Sequence, residues 1–364
     1  MFFTTFVNRC TKRIDIHAQT KQFLNNLFVN RCTLKGIAMA VIKDVAKLAG
    51  VSPSAVSKYF KTPDQMRDST KERIKSAVKA LDYYPSRIAK SLRSGKSGVI
   101  AIVLPDITNP YFANIFAHFH KLSTEKGRVP VALEIESGRN LQQETALLRS
   151  GFFDGALWYI SGDTEKLFSE QNIDIPVVYL GPTCNTNIRP QVSIDLSAGM
   201  FELCGYLASG GVERLGFIGN NDLSAAQKLD AVKEFCAREV TILDGNFTNT
   251  NSNNYEEGYN TCRNMIKSGK KLPDAIITSA DVIAVGVYKC LEEHGYRVPE
   301  DIKLSGYDNM DISKLYSPSL TTIHIPVKEM CESAFEILYS QMYVEEPVPG
   351  KTSFDTKLVI RETT

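Results

Sequence analysis

Ser54, Ser57, Lys58 and Lys61 stand at i, i+3, i+4 and i+7, so on a helix they share one face: short hydroxyl donors flanked by two cations. Donors of this kind meet phosphate oxygens and base edges of a nucleic acid. The elements that must carry them are legible nearby. Ile42, Val45, Ala46 and Ala49 recur at helical spacing and predict a short amphipathic helix that Gly50 ends. Ser52 is a good N-cap and Pro53 a good first helical residue, so a second helix starts at once, carrying Val56 and Phe60 inward. Two helices joined by so tight a turn cross steeply, the helix-turn-helix arrangement whose second helix lies in a major groove. A third helix is predicted behind them, opened by a capping box of Ser69 and Glu72 and burying Ile74, Ala77, Val78 and Leu81.

The charge follows this division. Residues 39–98 hold 13 Lys and Arg against 5 Asp and Glu, a balance of +8; residues 1–38 carry +5, which leaves −12 on the rest of a chain whose total is +1. Basic charge is concentrated where the helix-turn-helix lies, as a duplex-binding cap requires. With 364 residues, 43% apolar and 23% charged, the chain has the composition of a globular protein of two or three domains.

Residues 1–38 stand apart. Phe6-Val7-Asn8-Arg9-Cys10-Thr11 recurs as Phe28-Val29-Asn30-Arg31-Cys32-Thr33, and the apolar runs are too short for a bilayer span and lack the flanks of a signal peptide. The expectation is a leader that is either not native or disordered, with translation starting at Met39. The eight cysteines are scattered without metal spacing and read as free thiols of the cytoplasm; no cofactor or metal is expected. Ser94-Gly95-Lys96-Ser97 imitates the end of a P-loop, but Lys90 stands where its first glycine is required. No G-x-S-x-G or H-E-x-x-H occurs either, so no enzyme is expected.

After Tyr84-Pro85, Ser86 to Leu92 could form about two turns of helix, too few to hold alone in water, followed by a flexible joint at Gly95, Ser97 and Gly98. From Val99 the pattern becomes apolar runs (99–104, 155–160, 177–180, 215–218, 275–278, 302–306) alternating with helical stretches (111–126, 140–149, 197–209, 225–238, 255–268, 281–294, 326–342). That alternation predicts an α/β region of parallel sheets covered by helices, with ligands bound beyond the carboxyl ends of the strands. Trp158 ends one such strand, where an aromatic face suits a sugar or purine ring and a core position is equally open. Pro130 requires the second strand to be an edge or irregular.

Val41-Ile42-Lys43-Asp44-Val45-Ala46-Lys47-Leu48-Ala49-Gly50-Val51-Ser52, Val56-Ser57, Tyr84-Pro85-Ser86-Arg87-Ile88-Ala89 and Ser91-Leu92-Arg93 resemble the headpiece of the lactose/galactose repressor (LacI/GalR) family, and the likeness continues more loosely to the C-terminus. The resemblance implies an all-α headpiece at 39–85, a hinge helix and linker at 86–98, and a two-lobed core at 99–364 like that of periplasmic sugar-binding proteins. The first lobe would comprise about 99–192 and 322–343, the second about 193–321 and 344–364. It implies a cytoplasmic repressor, a homodimer or tetramer without membrane attachment, that binds a near-palindromic double-stranded operator under control of a small-molecule effector, a sugar or sugar derivative. Duplex contacts fall on Ser52, Pro53, Ser54, Ser57, Lys58 and Lys61. Ser86, Ala89, Leu92 and Arg93 belong to the hinge helix, with Leu92 wedged into the minor groove.

For the effector, the resemblance points to Asn109, Tyr111 and Phe112 in Pro105-Asp106-Ile107-Thr108-Asn109-Pro110-Tyr111-Phe112, and to Asp308 in Gly306-Tyr307-Asp308-Asn309, besides Trp158. Lys228 stands where the family shows an arginine, and Ala280-Asp281 where Asn-Asp is usual, so both Lys228 and Asp281 are effector candidates in altered surroundings. In the headpiece, Pro53 offers only apolar contact, Ala55 replaces a phosphate-bonding threonine and Lys58 an arginine. A solute-binding protein of a transporter is the alternative; it requires an export signal and no basic headpiece.

Overall fold

The computed structural model describes residues 40–85, 95–134, 141–160, 173–182, 190–220, 222–239, 242–243, 248–250, 253–344 and 351–364. Two compact units divide between Ala89 and Lys90.

In the first unit, α1 (Ile42–Ala49) begins where the Asp44 carboxylate accepts the Val41 N–H at 2.9 Å and ends at Gly50, whose φ of 60° lies in the left-handed region that favours glycine. Ser52 Oγ accepts the Ala55 N–H at 3.2 Å and Pro53 fills the first position of α2 (Pro53–Lys61), as the sequence predicts. After a short 3-10 turn, α3 (Asp68–Ala80) closes a core of Val45, Ala46, Ala49, Val56, Ile74, Ala77 and Tyr83. Two local expectations fail. Phe60 is 39% exposed, and Tyr59, three residues after the buried Val56, packs against the core instead. The Ser69–Glu72 capping box does not form: α3 starts one residue before Ser69, with Arg67 as an N-cap that makes no side-chain bond, and Glu72 instead pairs with Lys75 at 3.5 Å.

The second unit is built on two parallel sheets. The first holds β1 (Val99–Leu104), β2 (Val129–Glu134), β3 (Gly155–Tyr159), β4 (Val177–Pro182), β5 (Gln191–Asp195) and, from the far end of the chain, β12 (Lys351–Asp355), in the order β12-β5-β4-β3-β1-β2. Pro130 sits in β2 at the edge, opposite Ile100, where its missing N–H costs the ladder least. Alternation along β3 sends Leu157 and Tyr159 to the face covered by α4 (Pro110–Glu125) and α11 (Val327–Tyr343). Ala156 and Trp158 go to the opposite face, against Phe153 and against Leu148 of α5 (Leu141–Arg149).

The second sheet holds β6 (Arg214–Asn220), β7 (Ile242–Leu243), β8 (Thr248–Thr250), β9 (Ala275–Thr278) and β10 (Lys303–Ser305), in the order β10-β9-β6-β7 with β8 also on β6. One face packs on α6 (Leu196–Ser209) and α7 (Leu223–Glu239), through Leu203 and Val232 against Leu215 and Phe217. The other packs on α8 (Tyr255–Lys267) and α9 (Asp281–Glu293), through Cys262 and Ile283 against Ile276.

A short helix α10 (Asp311–Leu315) precedes β11 (Thr322–His324), which pairs antiparallel with β13 (Lys357–Val359). The chain leaves the first sheet after β5, returns through β11 to α11, adds β12 beside β5, and crosses again through β13, so that Thr363 bonds Leu304 of β10. The expected placing of 344–364 in the second lobe therefore does not hold for β12: the return lies after Asp355, not after Tyr343, because β5 offers β12 an open edge. Among the described residues all five cysteines are free and buried, and no helix is long and apolar enough to cross a membrane.

Candidate functional site

The headpiece presents the N-terminus of α2 outward. Ser52, Pro53, Ser54, Lys58 and Lys61 are exposed and Ser57 is half-buried; the Ser52 and Ser54 hydroxyls lie 2.8 Å apart and bond each other. Val56 buries the opposite side of the helix, which fixes this face outward. The first turn adds backbone N–H groups and the positive end of the helix dipole, both favourable to a phosphate. Ser86, Ala89, Leu92 and Arg93, the expected hinge contacts, lie outside the described residues.

In the second unit a cavity of about 200 Å³ opens between the carboxyl ends of the two sheets, with Pro105, Asn109, Tyr111 and Phe112 on one side and Asn220, Lys228 and Ser279 on the other. Of the predicted effector residues, Asn109, Tyr111, Phe112, Lys228 and Asp308 line it. Asn109 also caps α4, its Oδ1 accepting the Tyr111 N–H at 3.0 Å. Lys228 reaches from α7 to donate to the Ser279 carbonyl at 2.8 Å, its ammonium 3.8 Å from the centre of the Tyr307 ring. Burial pulls the Lys228 ammonium below its ordinary pKa, against the opposing pull of Asp308, Asp222 and Asp281. Asp308 stands at a backbone φ of 108°, a strained conformation held by its N–H bond to the Ile323 carbonyl at 2.9 Å. Burial raises its carboxyl well above the usual range; Lys228 offsets part of this, and Asp281 and Asp222 add to it.

Two predicted residues are displaced. Trp158 is 1% exposed and packs with Ala101, Val103, Leu148 and Phe153 on the α5 face, because β3 alternation aims it away from the cleft. Asp281 is fully buried and does not line the cavity: its carboxylate accepts the Met310 N–H at 2.7 Å and the Thr322 hydroxyl at 2.6 Å. Its carboxyl is pushed up to about 7 by burial, which outweighs these two donors. Asp281 thus braces the loop that presents Asp308.

The cleft also contains residues the sequence reasoning missed: Tyr159, Asn220, Asp222, Asn253 and Ser279. Tyr159, Asn220 and Ser279 end or directly follow strands β3, β6 and β9, so the rule that ligands sit past strand carboxyl ends, applied residue by residue, would have found them. Asn253, just before α8, carries no such signal. Among the described residues no group of histidines, cysteines and carboxylates could hold a metal ion.

Comparison with known proteins agrees with both halves of this geometry. Residues 41–86 match the family described as bacterial regulatory proteins, lacI family, and residues 204–364 match the periplasmic binding protein-like domain. The chain is 29% identical over 334 residues to the HTH-type transcriptional repressor PurR of Haemophilus influenzae, covering 89% of this chain and 98% of that one. It is 28% identical over 335 residues to the ribose operon repressor of Halalkalibacterium halodurans, covering 90% and 97%. Among solved structures, a lac repressor dimer bound to operator and an anti-inducer shares the fold at a TM-score of 0.78 and 21% identity, over 89% of this chain and 98% of that one. The transcriptional regulator CelR in complex with cellobiose does so at 0.66 and 23%, over 89% and 100%. The curated relatives are transcriptional repressors, and a headpiece of this type has no place in the solute-binding alternative. Residues 41–86 thus carry a headpiece domain of the lacI family of bacterial regulatory proteins, and residues 204–364 a periplasmic binding protein-like domain.

Proposed function

We propose that the protein is a DNA-binding transcriptional regulator, a repressor that grips a near-palindromic operator as a homodimer in the cytoplasm and is switched by a small molecule held in the cleft of its core. The observation that carries the reading is the outward face of α2, Ser54, Lys58 and Lys61 exposed behind a helix N-terminus while Val56 is buried on the opposite side. Ser52, Pro53, Ser54 and Ser57 supply the contacts nearest the bases, Lys58 and Lys61 those to phosphate. Ser86, Ala89, Leu92 and Arg93 belong to the hinge that inserts in the minor groove. Two-fold symmetry of the dimer sets the symmetry of the operator.

Effector control rests on the cleft, whose lining comes from both sheets, so that a ligand bridging them favours one closure over another. The solved CelR structure holds cellobiose, which supports a sugar or sugar derivative for this chain too. Fluorescence anisotropy with duplex fragments of the gene's own upstream region, at low and rising salt, tests the reading. The wild type is expected to prefer one fragment over its scrambled counterpart, and Lys58→Ala to weaken binding and reduce the slope of log affinity against log salt by about 1. Equal binding to scrambled duplex would overturn sequence-specific recognition.

A further inference from the structure

The two walls of the cleft differ in chemistry. On the first, Tyr111, Phe112 and Tyr159 form an aromatic corner, with ring centroids 5.2 Å (Tyr111 to Phe112), 4.8 Å (Phe112 to Tyr159) and 5.9 Å (Tyr111 to Tyr159) apart, all edge to face. The second wall is rich in acceptors. Asn220 and Asn253 donate their side-chain amides to the same oxygen of Asp222, at 2.7 and 3.4 Å, and this leaves both of their carbonyl oxygens buried and without a partner. Ser279 is 3% exposed and its hydroxyl is likewise unpartnered, although the residue lines the cavity.

The charge balance has the same sign. Among the described residues, Asp106, Asp222 and Asp308 line the cleft against the single cation Lys228, and the Lys228 ammonium is committed to the Ser279 carbonyl and the Tyr307 ring. A phosphate or carboxylate entering here would meet the Asp106 and Asp222 carboxylates, the buried Asp308 carboxyl and a lysine already engaged. A neutral polyol would satisfy the acceptors, with charge-assisted bonds to the carboxylates, but would bring no opposite charge. An ammonium group gains from both walls, since aromatic faces and carboxylates each attract it. Burial raises the Asp308 carboxyl, and a cation beside it favours the ionised form.

We propose that the effector is a small organic ammonium compound that also carries hydroxyl donors, the class of amino sugars, held between the Tyr111–Phe112–Tyr159 corner and the Asn220–Asn253–Asp308 wall. The assignment rests on the cleft being the effector site. Thermal-shift and calorimetric titrations of the full chain with glucosamine and galactosamine, their neutral counterparts glucose and galactose, and the matching 6-phosphates test it. An amino sugar is expected to raise the melting temperature with concentration and to bind about tenfold more tightly than its neutral counterpart, with no binding of the phosphates. Asp308→Asn, which keeps the shape and tolerates the left-handed backbone, should erase that preference and leave duplex binding intact. The class is overturned if neither amino sugar binds, if a neutral or phosphorylated sugar binds as tightly, or if the preference survives Asp308→Asn. Tight binding of neutral sugars alone leaves the cleft standing as effector site, whereas binding that survives Phe112→Ala and Lys228→Met removes the cleft reading itself.

Discussion

Two aspartates that look interchangeable as motif residues do different work. Asp308 faces the cavity, while Asp281 spends both oxygens on the Met310 N–H and the Thr322 hydroxyl. Removing the second carboxylate strands the buried Thr322 hydroxyl and the half-buried Met310 N–H, at about 1–3 kcal/mol for a fully buried donor. Asp281→Ala is therefore expected to lower the melting temperature by several degrees in calorimetry while Asp308→Asn leaves it within about 1 °C. Equal melting of the two variants would refute the bracing role. The sequence could not separate these residues, because the partners that turn Asp281 inward lie on segments about 30 and 40 residues further along. Trp158 and Tyr159 teach the same lesson at closer range: adjacent aromatic residues in one strand face opposite ways, and only knowing which helix covers which face decides which of them meets a ligand.

At the scale of elements, long apolar runs were legible and short polar strands were not. β1, β3, β4, β6 and β9 coincide with apolar runs, and the helices coincide with periodic stretches, because burial on both faces of a parallel strand leaves a plain signature. β12, Lys-Thr-Ser-Phe-Asp, has no such run and exists because β5 presents an unpaired edge. Side-chain hubs between elements are equally silent in sequence. Asp154, before β3, accepts the Ser97 N–H and hydroxyl at 2.7 and 2.9 Å, the Gly98 N–H at 2.9 Å and the Tyr343 hydroxyl at 2.7 Å, tying the entry to β1 to the end of α11. Burial alone would raise its carboxyl, but the four donors outweigh it and the net shift is downward. A depressed carboxyl stabilises the fold above the ordinary carboxylate range and ceases to do so as pH falls through its folded value. Asp154→Asn should accordingly lower the urea midpoint near neutral pH, with the gap to wild type closing in acid. A gap independent of pH would remove the ionised hub.

The whole molecule pairs a basic cap with an acidic body, +8 on residues 39–98 against −12 beyond them, and this asymmetry was readable before any fold was known. The headpiece was legible because its helices, turn and caps are local in sequence; the lobes were legible in outline only, since their crossings depend on pairings between distant segments. On the proposed reading, control of DNA from the cleft needs a segment that carries the core's change to the headpiece. Leu92→Ala is expected to weaken operator binding and reduce operator bending in a gel-mobility assay, while the melting temperature of the core and its stabilisation by ligand stay unchanged. Bending equal to wild type would refute the wedge. The path of the last fourteen residues has an evolutionary corollary. Because β12 completes one sheet before Thr363 and Thr364 are bonded into the other half, no single cut separates the two lobes into clean cassettes. New specificities in such a regulator would arise by substitution within the cleft or by exchange of the entire core behind a kept headpiece, and chimaeras that splice one lobe onto a foreign partner would have to carry the tail along with it.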